Sequence, residues 1–196
     1  MNFDNAIQLT VPAVWFVFGA YWWIQSRNQK SARVAEPWLT RFLRHWLPLV
    51  VAVLLIAGPG DWYGHSLLRE QFLPHTTLIF ATGILIMLAG LILAIWARRT
   101  LGRNWSANVQ IKQDHELVTD GPYATVLHPI YTALILMFIG NAIVVGDLRG
   151  VVGVLIVWAS FFLKSRREEQ FMLSEFGEPY AHYRQRTGGI WPRLFR

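Results

Sequence analysis

From Thr76 to Ala97 the chain carries no charged side chain, and at about 1.5 Å per residue a helix over this stretch crosses a ~30 Å hydrocarbon core. Four further apolar segments flank it: Ile7 to Ile24, Trp46 to Gly58, Pro129 to Gly146 and Gly150 to Leu163. The second and the last fall short of a full crossing and must draw on flanking residues or a thinned bilayer. The pattern predicts an all-α, polytopic membrane bundle of about five transmembrane helices. No basic residue precedes the first segment and no small-x-small site follows it, so it is expected to remain as a helix rather than to be cleaved as a signal. The chain is 54% hydrophobic and 15% charged, with ten Trp and six Tyr suited to the two membrane–water interfaces.

The basic residues orient such a bundle. Arg27, Lys30, Arg33, Arg41 and Arg44 follow the first segment; Arg98, Arg99, Arg103 and Lys112 follow the third; Lys164, Arg166, Arg167, Arg184, Arg186, Arg193 and Arg196 follow the fifth. Arg69 and Arg149 stand in the alternate loops. The expectation is an N-terminus outside and a C-terminus in the cytoplasm, in the inner membrane if the cell is bacterial. The net charge of +6 then reflects orientation and attraction to anionic headgroups rather than nucleic-acid binding, for which there is no basic soluble domain. With no cysteine, thiolate nucleophiles, Cys-held metals, disulfides and palmitoylation are excluded on this chain.

The sequence reads as one domain over residues 1–196, with its polar chemistry in two cytoplasmic stretches. Residues 98–128 form a long polar connection, and long ordered loops usually have a task. Residues 164–196 mix Phe171, Met172 and Phe176 with charges at helical spacing. The fifth helix is therefore expected to run on to Phe176-Gly177, with a short helix from near Pro179 carrying Tyr180 and Tyr183. Gly58, Gly60 and Gly64 follow a membrane helix rather than a strand and make no nucleotide loop.

Pro129 suits a first helical turn and pushes His128 out of the αR region, while Gly121-Pro122 makes a turn that delivers Tyr123 to the same place. His128, Tyr131 and Tyr123 thus gather at a helix N-terminus, where free N–H groups attract acceptors and anions. Alone, these residues read as a helix start with aromatic anchors sooner than as a site, and Glu168-Glu169 as a solvated helix surface. The short link Asp147 to Arg149 changes the balance, because it folds the last two spans into a hairpin and sets both clusters at one membrane face.

"HELVTDGPYATVLHPIY", a second apolar helix and "EEQFMLSEFGEPYAHYRQRTGGIWP", preceded by "LGRNWS", together resemble the isoprenylcysteine carboxyl methyltransferase family and its phospholipid N-methyltransferase relatives over about residues 98–192. The resemblance implies an integral-membrane enzyme using S-adenosylmethionine, with helices in residues 1–97 and a cofactor-binding catalytic core in 98–196. Its pocket is expected between the 98–128 loop and the C-terminal helices. The matching elements are His115, Leu117, Val118 and Tyr123; His128, Pro129 and Tyr131; Glu168 and Glu169; and Tyr180, Tyr183 and Arg186 with Pro192 behind them. The first three groups supply the cofactor-binding set, with Arg186, Glu169 and Tyr183 as the catalytic set and no metal. The sequence departs from the pattern at Leu127, where the family usually has Arg, and at Ala133, where it often has Gly.

Methyl transfer suits such a residue set. A sulfonium is an activated donor, so the protein needs mainly to align donor and acceptor. Glu168 or Glu169 would meet the donor's ammonium, and Tyr123, Tyr131 and His128 would line the pocket, with ring faces attractive to a sulfonium. The acceptor must be lipophilic. Arg186 favours a carboxylate, which is ionised at pH 7, whereas an amine would need a base. The alternatives are a phospholipid or amine N-methyltransferase, or a non-catalytic scaffold that keeps the fold. Haem binding by His115 and His128 and transport are disfavoured, since neither His lies within a span and no span carries a central charge.

Overall fold

The computed structural model describes residues 3–27, 39, 42–105 and 117–193. The helices run in the order α1 (Phe3–Ser26), α2 (Leu47–Ala57), α3 (Thr77–Leu101), α4 (Pro129–Val145), α5 (Leu148–Phe176) and α6 (Glu178–Arg186). Among the described residues no strand forms beyond two isolated bridges, Gln71 with Asp147 and Val126 with Gly188. Local chemistry sets the ends. The Thr76 hydroxyl caps α3 by accepting from the Ile79 N–H at 3.3 Å. Pro129 occupies the first turn of α4, whose last turn closes on Gly146 in the left-handed region at φ +73°. Gly177, at φ +57°, ends α5 and turns the chain into α6, as the sequence led us to expect.

α3 and α4 lie antiparallel with their backbones in contact. A Cβ on Gly83 would stand 2.7 Å from the Gly140 carbonyl oxygen, and one on Gly90 the same distance from that of Ala133. Close approach of this kind is how helices associate where lipid removes the hydrophobic drive between them. Ala133 is fully buried in this seam, so a small side chain is what the site requires. Two apolar clusters hold the remaining helices. Ala52, Ile56, Ile135, Phe138, Val157, Phe161 and Ile190 join α2, α4, α5 and the C-terminal segment, and Val14, Met87, Leu91 and Met137 join α1, α3 and α4.

The outer surface is apolar as well. Leu78, Leu85 and Ile92 recur along one stripe of α3 and are 76%, 66% and 67% exposed, a surface suited to lipid rather than water. Helices α3 and α5 are long and apolar enough to cross a membrane; α2 and α4 are apolar but shorter.

The bundle has two ends. One gathers Gln25, Arg98, the turn Gly121–Ala124, His128, Glu168, Glu169 and α6. The other gathers Gly58, the loop before α3 and the α4–α5 turn, where Leu148 N–H donates to the Glu70 carbonyl at 3.0 Å. There Arg149 pairs with Asp147 at 3.1 Å, donates to the Gly58 carbonyl at 2.6 Å and lies 5.4 Å from the Tyr63 ring centre.

Candidate functional site

His128 has φ −127° and ψ 59°, the non-helical backbone that a following proline imposes. Its imidazole is buried between the two adjacent glutamates of α5. Nδ1 stands 3.5 Å from Glu168 Oε2, and Nε2 stands 3.5 Å from Glu169 Oε1. These are ion-pair distances, and among the described residues Nε2 makes no well-formed hydrogen bond. Neighbouring helical residues point about 100° apart, so one ring with nitrogens on opposite sides can serve both carboxylates. Burial opposes the charged imidazole, but the Glu168 and Glu169 carboxylates outweigh it and hold the His128 pKa above its ordinary value. The Tyr131 hydroxyl donates to Glu168 Oε1 at 2.5 Å. The Tyr131 ring stacks between His128, at 5.4 Å, and Phe161, at 4.8 Å.

Glu169 faces a cavity of about 550 Å³ between α5, α6 and the strap Thr187–Arg193. Trp158, Phe162, Ile190 and Trp191 give it apolar walls, while Arg166, Arg184 and Arg193 bring guanidinium groups to it. Arg166 and Arg184 each stand 3.9 Å from Glu169 Oε2. Backbone contacts hold the strap against the turn before α4: Leu127 N–H donates to Gly188 O at 2.7 Å, Gly188 N–H donates to Thr125 O at 3.2 Å, and the Thr132 hydroxyl donates to Ile190 O.

The structure brings Tyr123, His128, Pro129, Tyr131, Glu168 and Glu169 together and places the other expected residues around them. The Tyr183 hydroxyl is committed to the Tyr123 carbonyl at 2.6 Å, and burial pushes its phenol up to about 12. Burial likewise raises the phenols of Tyr123 and Tyr180. Leu117 packs on the cluster of Leu127, Tyr180 and Tyr183, and Val118 is half-buried beside it in sequence. Leu127 therefore fills an apolar niche where the family resemblance leads one to expect a guanidinium. His115 lies outside the described residues. Arg186 is exposed and outside the cavity lining. Of the α6 arginines the one that reaches Glu169 is Arg184, which sequence reasoning passed over; its position four residues after buried Tyr180 was the available signal, since i and i+4 share a helix face.

These features define a class: a helical bundle with lipid-suited outer faces and a buried imidazole–carboxylate centre beside a mixed apolar and cationic groove. The family model described as phospholipid methyltransferase matches residues 78–179. The protein-S-isoprenylcysteine O-methyltransferase of Mus musculus is 35% identical over 151 residues, covering 74% of this chain and 51% of its own length. The cobalt-zinc-cadmium resistance protein CzcN of Cupriavidus metallidurans is 29% identical over 168 residues, covering 83% of this chain and 69% of its own length. A solved structure, the eukaryotic intramembrane Ras methyltransferase called isoprenylcysteine carboxyl methyltransferase, superposes with TM-score 0.53 at 25% identity, covering 83% of this chain and 55% of that one. The chain belongs to the phospholipid methyltransferase family and shares the fold of the isoprenylcysteine methyltransferases. It spans about half the length of the isoprenylcysteine methyltransferase relatives from mouse, rat and human.

Proposed function

We propose that the chain is an S-adenosylmethionine-dependent membrane methyltransferase whose acceptor is a lipophilic carboxylate. The observation that carries this reading is the pair Glu168 and Glu169, gathered by His128, with Glu169 lining a groove that has apolar walls and a guanidinium rim. The donor's requirements fit the residues present. An ammonium needs a carboxylate already desolvated and oriented, and Glu168, held by Tyr131 and His128, offers one. A sulfonium is attracted to aromatic ring faces, and Tyr123 is the ring offered for it, since Tyr131 is stacked on both faces and His128 carries positive charge. When bound, the donor supplies an activated methyl group.

The chain's own residues divide the work. Glu168 and Tyr131 serve the donor side. His128 holds both carboxylates, fixing their separation. Glu169 faces the groove with Arg166 and Arg184 beside it and Arg193 on the same lining, so the rim carries more positive than negative charge. Such a rim orients an anionic acceptor and repels an amine, which favours O-methylation over N-methylation. Trp158, Phe162 and Trp191 would take the acceptor's apolar part and exclude water. Five spans, with the N-terminus outside and the site on the cytoplasmic face, complete the proposal; Arg99 and Arg166, exposed at the site end, support that orientation.

Calorimetry of S-adenosylmethionine binding to detergent-purified protein tests the reading. Micromolar affinity is expected, weakened at least tenfold in Glu168→Gln. Turnover should follow with an amphiphile ending in a carboxylate and not with its amine counterpart. Absence of donor binding by well-folded protein would sink the proposal.

A further inference from the structure

Arg98, near the C-terminal end of α3, is 1% exposed, and no carboxylate of the described residues pairs with it. Its two terminal nitrogens donate to the carbonyls of Gly102 at 2.6 Å and Gln25 at 2.8 Å, and its guanidinium carbon stands 4.6 Å over the Trp105 ring. The carbonyls belong to the C-terminal ends of α3 and α1, where helix dipoles favour a cation. They orient the group without cancelling its charge, and a buried charge lacking an opposite partner is costly. Among the described residues Nε has no hydrogen-bond partner. The same is true of the buried Tyr21 hydroxyl, an electrostatic neighbour of Arg98, and of Asn104 Oδ1, next to Trp105 in sequence. Among the described residues, one corner of the structure thus holds a cation without a carboxylate partner and three polar atoms without hydrogen bonds.

The corner adjoins the site. The Tyr123 phenol is an electrostatic neighbour of both Arg98 and Glu168. Its turn packs on α3, where a Cβ on Gly121 would stand 3.0 Å from Thr100 Oγ1 and 3.4 Å from Trp96 Nε1. The turn that carries the Tyr123 phenol thus packs on the helix of Arg98, and the phenol senses both that cation and the Glu168 carboxylate, a pair of opposite charges that an amino-acid zwitterion complements. We propose that Arg98 receives the carboxylate of the methyl donor while Glu168 receives its ammonium. The inference rests on the donor assignment above and adds a specificity-determining residue to it.

The test is calorimetric and independent of turnover. Binding of S-adenosylmethionine is compared with binding of its decarboxylated analogue, which keeps the sulfonium and the ammonium. Wild type is expected to prefer the carboxylated donor by on the order of 30-fold, as for a desolvated charge pair. Arg98→Met should cut that preference to within about threefold, and Arg98→Lys, which keeps the charge but not the planar fork, should retain part of it. Glu168→Gln should weaken both ligands alike and leave the preference intact. A wild type without preference, or a full preference in Arg98→Met or Arg98→Lys, overturns the assignment and makes Arg98 a structural tie between α1 and α3. Should Arg98→Met fail to give monodisperse protein, wild type and Arg98→Lys decide. Wild type that is folded yet binds neither ligand overturns the donor reading together with this one.

Discussion

Arg149 and Arg98 stand at opposite ends of the bundle and are held alike. Each donates to a carbonyl at or just beyond a helix end, Gly58 for one, Gln25 and Gly102 for the other, and each lies over an aromatic ring. They differ in charge balance, for Arg149 has the Asp147 carboxylate at 3.1 Å and Arg98 has none among the described residues. The first is a closed fastening whose purpose ends with the fold. The second uses the same parts and leaves a charge over. Where a fold spends an opposite charge on an arginine, that arginine is already neutralised; where it withholds one, a ligand can supply it.

Substitutions can break that contrast, and the largest effect is expected at the closed end. Arg149→Met strands a half-buried carboxylate and should cost about 3 kcal/mol, read as a fall in thermal midpoint of roughly 10 °C in detergent, with donor affinity in the folded protein unchanged within twofold. Gly188→Ala comes next. Its Cβ would stand 2.8 Å from Arg193 N and 2.9 Å from Pro192 Cα, so the strap must shift; about 2 kcal/mol and a several-fold rise in acceptor KM are expected, with donor affinity kept. Arg98→Met should be milder for stability than Arg149→Met, about 1 kcal/mol, because it removes an uncompensated buried charge along with two carbonyl contacts. An equal or larger fall than for Arg149→Met would erase the distinction between the two ends.

The smallest effect concerns pH. His128 has a folded pKa raised above its unfolded value near 6.5, so the stability contributed by its charged form is complete below that value and fades as pH rises through the folded pKa. The difference in thermal midpoint between wild type and His128→Gln should shrink from pH 6 upward. A difference that stays flat or grows would remove the charged imidazole from the centre.

Much of this architecture was legible because it rests on local rules. Pro129 fixed the start of α4, Gly177 the break between α5 and α6, and the link at Asp147 the hairpin that unites His128 with Glu168 and Glu169. What escaped was orientation around a helix. Arg98 and Arg99 read together as charges flanking a span, yet one helical step leaves Arg98 buried and Arg99 exposed. Arg184 and Arg186 divide in the same way, and only the position of α6 against α5 decides which meets Glu169. Leu127 was read by its difference from a pattern, whereas its surroundings, Tyr180 and Tyr183, arrive from residues far along the chain.

The strap Thr187–Arg193 follows all the described helices in chain order, yet it forms a wall of the groove and fastens to Leu127, Thr125 and Thr132. During synthesis the helices can insert and pair while the groove still lacks that wall. Closure of the groove is then the last step in chain order, and a chain released before Thr187 would keep every described helix yet leave the proposed acceptor site open on one side.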